Sequence, residues 1–336
     1  MDALDKNQEA ISNQISKIAQ NMQDFTGDDL KVEFINNKVF YENMNFLDFL
    51  REVGKFITVN VMMSKDTVKK RIEDPNQSIS YTEFSYQLLQ GYDACRLFKD
   101  KDVVLQIGGQ DQWGNLVTGT ELIRKKYDAD AFALTWPLIT DSSGKKFGKS
   151  EGNAMFLDKK KTSPYFIYQY FMNTADEDIS RFMKMLTLIE TEEIDEIVAK
   201  HMQEPELRAG QKTLAFKVVE IVHGTREAQL AEQITEFMFG AGDKVEQLSV
   251  LSKEDLATYQ NAMGGFDYTD QNFFETIVAS GLAKSNSEAR NAVSSGAISI
   301  NGNKITDARY DLSQDFLSNG ALLIQKGKKN LRIIKK

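Results

Sequence analysis

The chain has 336 residues, 41% of them hydrophobic, and a formal net charge of −8, enough for a sizeable core and a length that predicts two or three domains. No apolar run approaches the roughly 18 residues of a membrane span. The polar opening MDALDKNQEA is unlike a secretory signal, and one cysteine and two histidines leave no internal disulfide and no histidine metal cluster. A soluble protein of the reducing cytoplasm, with no membrane partner, is the expectation.

In chain order, Ile11, Ile15, Ile18, Met22 and Phe25 fall at helical spacing and predict an amphipathic helix packed on a core. VEFINNKVFYE reads as strand or extended chain, NFLDFLREVGKFI as a helix, and SKDTVKKRIED as a helix that Ser64 is placed to cap. A longer helix covers SYTEFSYQLLQGYDACRLF. VVLQI reads as a short buried strand ended by Gly108 and Gly109, DQWGNLVTGTELIRKKY as a helix, and AFALTWPLI as a second buried strand. This alternation predicts α/β structure: a parallel sheet with helices on its faces over residues 1–160.

From Ser163 the pattern is helix alone, predicting an all-helical domain over 161–265. Gly240, Gly242 and the Gly264-Gly265 pair then mark a polar connector. Residues 270–336 read as a small α+β module, with SNSE at 285–288 as a capping box, Gly296 as helix terminator and a hairpin around Asn301-Gly302. Residues 281–336 hold ten Lys or Arg against four Asp or Glu, a charge of +6, so the rest of the chain carries −14. A basic terminal module on an acidic body points either to a polyanion such as nucleic acid or to a solubilising tail.

Three stretches could carry chemistry. Tyr86, Gln90 and Asp93 sit at i, i+4 and i+7 of one predicted helix and so share a face. Such a stripe could bind a small polar ligand, though alone it is more often a solvated face. QIGGQDQWGN puts Asp111 and Gln112 after a strand and at a helix start, at the sheet edge where open α/β sheets bind ligands. There a carboxylate can accept from both hydroxyls of a ribose, or Asp111 can simply cap the helix. KKFGKSEG, with Lys146 and Lys149 flanking Phe-Gly, invites a phosphate. Yet only three residues separate Gly144 from Gly148, where the phosphate-loop template needs four, and no helical period follows.

Taken in order, FSYQLLQGYD, LQIGGQDQWGN, KFGKS and SEARNAVSSGAISING resemble the bacterial-type tyrosyl-tRNA synthetases, a family of class I aminoacyl-tRNA ligases. The resemblance implies a partial Rossmann-like catalytic domain, a helical anticodon-recognition domain and an RNA-binding module similar to ribosomal small-subunit protein four. KFGKS resembles the family's form of the class I Lys-Met-Ser-Lys-Ser signature, so Lys146, Lys149 and Ser150 would act on the ATP phosphates, Lys149 foremost. Tyr86 and Gln90 would hold the α-ammonium of L-tyrosine, and Asp93 its phenolic hydroxyl. Gln112 would lie beside the reacting carboxylate, Asp111 and Gly109 at the adenylate ribose, and Asn60 is a further candidate for the tyrosine pocket. ATP with Mg2+, tRNA(Tyr) and a second copy in a homodimer are the implied partners. The family's His-x-Gly-His signature has no counterpart here. That predicts a fragment, a mis-started reading frame or a shortened relative, whose alternative role is RNA binding without catalysis.

Overall fold

The computed structural model describes residues 3–140, 155–327 and 330–336. It divides into two compact units, Met1–Val32 with Glu151–Lys336, and Glu33–Ser150. The chain opens with helix α1 (Ala3–Thr26), which lies along a later helix of its own unit. The expected helix is present, but it is peripheral. None of its residues is buried, and Ile11, Ile15 and Phe25 remain exposed. Helical periodicity reports which residues share a face, and what that face meets is decided elsewhere in the chain.

The Glu33–Ser150 unit contains α2 (Phe46–Glu52), α3 (Val59–Met63), α4 (Asp66–Glu73), α5 (Tyr81–Lys101), β1 (Leu105–Gly109), α6 (Trp113–Tyr127) and β2 (Phe132–Trp136). VEFINNKVFYE is not a strand. Its second half forms a 3-10 turn, Asn37–Phe40, because the Asn36 side chain accepts from the Lys38 amide and pulls the backbone into a turn. Ser64 does not cap α4 either. It closes α3, its hydroxyl donating to the Val61 carbonyl, and Lys65 precedes α4 without a side-chain cap.

Helix α5 begins with a capping box between Ser80 and Glu83, and Arg71 binds the same Glu83 at 2.8 Å. The Arg71 guanidinium and the Ser80 donors hold the Glu83 carboxyl down at about 2. Helices α5 and α6 end on Asp102 and Asp128 in the left-handed region, where Asp is one of the few residues tolerated besides Gly. The two helices pack closely because Gly91 faces Thr118 and Gly119 faces Ala94. Val53, Leu88, Tyr92, Cys95, Leu122 and Ile123 fill the core of this unit. Burial pushes the Cys95 thiol up to about 12, so it packs as a small hydrophobe.

β1 and β2 pair in parallel, Leu105 opposite Phe132 and Gly109 opposite Trp136. The strands were expected to be buried, and they are not. Ile107 is 59% and Trp136 46% exposed, and Leu105, Phe132 and Leu134 are exposed beside them. Helix α6 covers the opposite face, which carries Gln106, Gly108, Ala133 and Thr135. A two-stranded sheet has two edges and two faces to cover, and the described residues of this unit cover only one face.

The other unit continues through α7 (Pro164–Met172), α8 (Asp176–Leu186), α9 (Thr191–His201), α10 (Ala209–His223), α11 (Thr225–Phe239), α12 (Lys244–Ser249) and α13 (Lys253–Ala262). It ends in β3 (Phe266–Asp267), α14 (Phe273–Ala279), α15 (Asn286–Ser294), β4 (Ile298–Ile300), β5 (Asn303–Ile305), β6 (Ala321–Lys326) and β7 (Asn330–Lys335). Parallel sheet, helical region and small α+β region together make the expected fold class. The stretch read as a polar connector contains α12 and α13, whose Leu248, Leu256 and Tyr259 join a core with Ala321, Leu323 and Ile333. The five-stranded sheet, in the order β3-β7-β6-β4-β5, has its other face on α14 and α15, so β6 is buried on both sides. The Asn301-Gly302 hairpin is present, both residues having positive φ as a type I′ turn requires. In the SNSE box only one half forms as written. The Ser285 hydroxyl accepts from the Glu288 amide, while Glu288 reaches the Lys284 amide one residue early.

Candidate functional site

On the face of α5 that bears Tyr86, Gln90 and Asp93, Gln90 reaches the first turn of α6. Gln90 Oε1 accepts from Asn115 Nδ2 at 3.0 Å, and the same Asn115 nitrogen lies 3.2 Å from Gln112 Oε1. Gln112 in turn donates to Asp111 Oδ2 at 3.1 Å. Two motifs about twenty residues apart in sequence are thereby tied into one polar chain at the carboxyl end of β1, and the close α5–α6 packing at Gly91 and Gly119 makes the reach possible. Asp111 does not cap α6, which starts without a side-chain cap, so the capping alternative falls away. At Gly109 an added Cβ would stand 2.6 Å from Asp111 Oδ1, so a larger residue here would turn the Asp111 carboxylate away from its present position.

A cleft of about 390 Å³ opens beside this chain, lined by Lys65, Arg71, Tyr86, Gln87, Asp111, Gln112 and Asn115 among others. Tyr86 is exposed and free to meet a ligand, and buried Gln87 presents a carbonyl oxygen with no partner among the described residues. Lys65 and Asp111 on the cleft wall suit a ligand with both anionic and hydroxyl groups, Arg71 being already engaged by Glu83.

Asp93 sits one turn beyond Gln90 in a different setting. Tyr41 Oη donates to its Oδ1 at 2.8 Å and Asn37 Nδ2 to its Oδ2 at 2.7 Å. Burial raises the Asp93 carboxyl above the usual carboxylate range, while the two donors pull the other way. Burial first, and the Asp93 hydrogen bond second, also raise the Tyr41 phenol. Asn60 is not brought to this cleft; on α3 it lines a separate depression with Met63, Lys69 and Glu73. Lys146, Lys149 and Ser150 lie outside the described residues. Sequence reasoning passed over Asn115, Gln87, Asn37 and Tyr41. Asn115 was legible as the last residue of DQWGN, whereas the other three carry no local signal.

A model of the family tRNA synthetases class I (W and Y) matches residues 1–240, and one of the Tyrosine--tRNA ligase SYY-like C-terminal domain matches residues 255–334. A Tyrosine--tRNA ligase of Streptococcus agalactiae is 46% identical over 328 residues, covering 96% of this chain and 76% of its own length. That of Streptococcus mutans is 44% identical over 331 residues, covering 97% and 78%. Among solved structures, the C-terminally truncated mitochondrial tyrosyl-tRNA synthetases of Coccidioides posadasii and Aspergillus nidulans superpose with TM-scores of 0.56 and 0.58 at 28% and 29% identity. These superpositions cover 66% and 67% of this chain and 64% and 66% of theirs. Motifs, fold and similarity over nearly all of this chain agree, and the chain belongs to the class I tRNA synthetases of the W and Y type, among the tyrosine–tRNA ligases.

Proposed function

We propose that this chain carries the tyrosine-recognising part of the ligase site and serves the formation of tyrosyl-tRNA(Tyr) from L-tyrosine, ATP and tRNA(Tyr). The observation that supports it most is the Gln90–Asn115–Gln112–Asp111 chain, which joins the amino-acid stripe on α5 to the sheet edge where a nucleotide would sit. Helix geometry sets Tyr86 about 10 Å and Gln90 about 4.5 Å from Asp93 along the axis. These distances bracket the span from the ammonium to the phenol of tyrosine. In this reading Tyr86 and Gln90 hold the ammonium and Asp93 the phenol, with Asn60 a further candidate. Gln112 steadies the carboxylate, and Gly109 and Asp111 take the ribose.

The tyrosine carboxylate oxygen attacks the α-phosphorus of ATP, the bond to pyrophosphate breaks, and tyrosyl-adenylate forms. A ribose hydroxyl of the tRNA terminus then attacks the acyl carbon and AMP leaves. No step needs a covalent enzyme intermediate, so alignment and placed charge do the catalysis. Lys146, Lys149 and Ser150 would meet the charge developing on the pyrophosphate of ATP, carried as its Mg2+ complex. We further propose cytoplasmic action as a homodimer. No described helix is long and apolar enough to cross a membrane, and Val59 and Met63 of α3 and Ile72 of α4 present exposed apolar surface that a second copy would cover.

The test is equilibrium binding of L-tyrosine and L-phenylalanine to the full chain. Asp93→Ala is expected to cut the preference for tyrosine by roughly 10- to 100-fold, as for loss of a hydrogen bond to a charged group. An unchanged preference would remove Asp93 from the site.

A further inference from the structure

The environment of Asp93 contains a phenol that already belongs to the protein. Tyr41, which precedes α2, places its hydroxyl 2.8 Å from Asp93 Oδ1 and 2.8 Å from the Leu89 carbonyl. A tyrosine hydroxyl has one proton to donate. Leu89 lies four residues before Asp93 in α5, so its carbonyl already serves the helix ladder. The carboxylate is the stronger acceptor and takes the proton. Asn37 occupies the other carboxylate oxygen. The Tyr41 ring is held against Tyr92 with centroids 5.6 Å apart, and Tyr92 is itself buried, so the hydroxyl is fixed by packing.

We propose that Tyr41 is a specificity-determining residue of the amino-acid site, an internal phenol that keeps Asp93 hydrogen-bonded whether or not the bound amino acid carries a hydroxyl. This rests on the reading of Asp93 as the partner of the substrate phenol. A site rejects an analogue lacking a hydroxyl when the analogue leaves a buried polar group unpaired. Here phenylalanine leaves Asp93 with two donors still in place, so the penalty against it is blunted. An ionised carboxylate has about four acceptor sites, so tyrosine can still add its own hydroxyl to the two donors present.

The experiment is binding of L-tyrosine and L-phenylalanine to the full 336-residue chain, followed by calorimetry, for wild type, Tyr41→Phe and Asp93→Asn. Tyr41→Phe keeps the ring that packs on Tyr92 and removes only the hydroxyl, and circular dichroism checks that the fold is retained. The expected result is a selectivity for tyrosine over phenylalanine that rises about tenfold in Tyr41→Phe, mostly through weaker phenylalanine binding, and falls in Asp93→Asn. Selectivity that falls or stays level in Tyr41→Phe, while Asp93→Asn erodes it, overturns the role given to Tyr41 and leaves Asp93 in place. Selectivity indifferent to both substitutions, or no tyrosine binding by the wild-type chain, overturns the Asp93 reading and the inference with it.

Discussion

Replacing Gly119 by alanine tests whether close packing of α5 on α6 holds the candidate site together. A Cβ at this position would stand 2.8 Å from the Ala94 Cβ and 2.8 Å from Gln106 Nε2. The glutamine end can give way, but the Ala94 methyl is fixed to the backbone of α5 and yields only if the helices part. Overpacking of this kind costs ~1–3 kcal/mol, with a rigid neighbour at the upper end. Removing a glycine from a helix interior returns about 1 kcal/mol. The expected net loss is therefore about 2 kcal/mol. Both tryptophans, Trp113 and Trp136, lie in the Glu33–Ser150 unit, so their fluorescence during urea unfolding follows this unit. With an m value of about 2 kcal/mol per molar, the midpoint should fall by about 1 M. Gly91→Ala, whose nearest contact would be 3.1 Å from Thr118 Cγ2, should cost less. Parting of the helices also lengthens the 3.0 Å bond between Asn115 and Gln90, so tyrosine affinity should fall in step with stability. A midpoint that holds or rises in Gly119→Ala would refute the argument, because the helix contact would then have slack to accept a methyl.

His223 is buried, with neither ring nitrogen hydrogen-bonded among the described residues, and burial, followed by the charge of Lys17, lowers its imidazole to about 4. Because the folded state takes up its proton only near pH 4 and the unfolded chain near 6.5, the unfolded state binds the extra proton between them, and stability falls as pH drops through that window. A shift of this size corresponds to at most about 3 kcal/mol. His223→Gln should flatten the stability profile between pH 6.5 and 4, and an unaltered slope in chemical denaturation would assign that window to other groups. For the RNA interaction, deletion of residues 281–336 is a poor probe, since it strips Ala321, Leu323 and Ile333 from the core shared with α11–α13. Exposed Arg290 and Arg309, which border a cleft of about 420 Å³ with Tyr310, are better targets. Arg290→Ala with Arg309→Ala should reduce the slope of log affinity for tRNA against log salt by about one to two, and a slope unmoved by both would place the phosphate contacts elsewhere.

Local signals determined much of this protein. The extent of α5, the Asn301-Gly302 turn and the apolar periods of α7–α11 are written in residues within one or two turns of each other. The structure repeats them because backbone sterics and capping act over that same range. The stripe of Tyr86, Gln90 and Asp93 was legible for the same reason, since helical spacing alone places them on one face. Packing decided the rest. Whether the apolar side of α1 or of β1 and β2 is covered depends on chain far away in sequence. On α1 Ile18 and Met22 are half-buried while Ile11, Ile15 and Phe25 stay exposed, and one face of β1 and β2 stays exposed although its residue pattern reads as buried. The tail's basic residues likewise divide only in three dimensions: Lys326 is held by Glu288 and Arg332 by the Ser280 carbonyl, while Arg290 and Arg309 stay exposed. Tyr41 lies in a segment whose apolar alternation suggests a strand, yet an asparagine side chain turns that segment and a contact across 52 residues delivers its hydroxyl to Asp93. No periodicity encodes such a meeting, because it depends on where two separately folded elements dock.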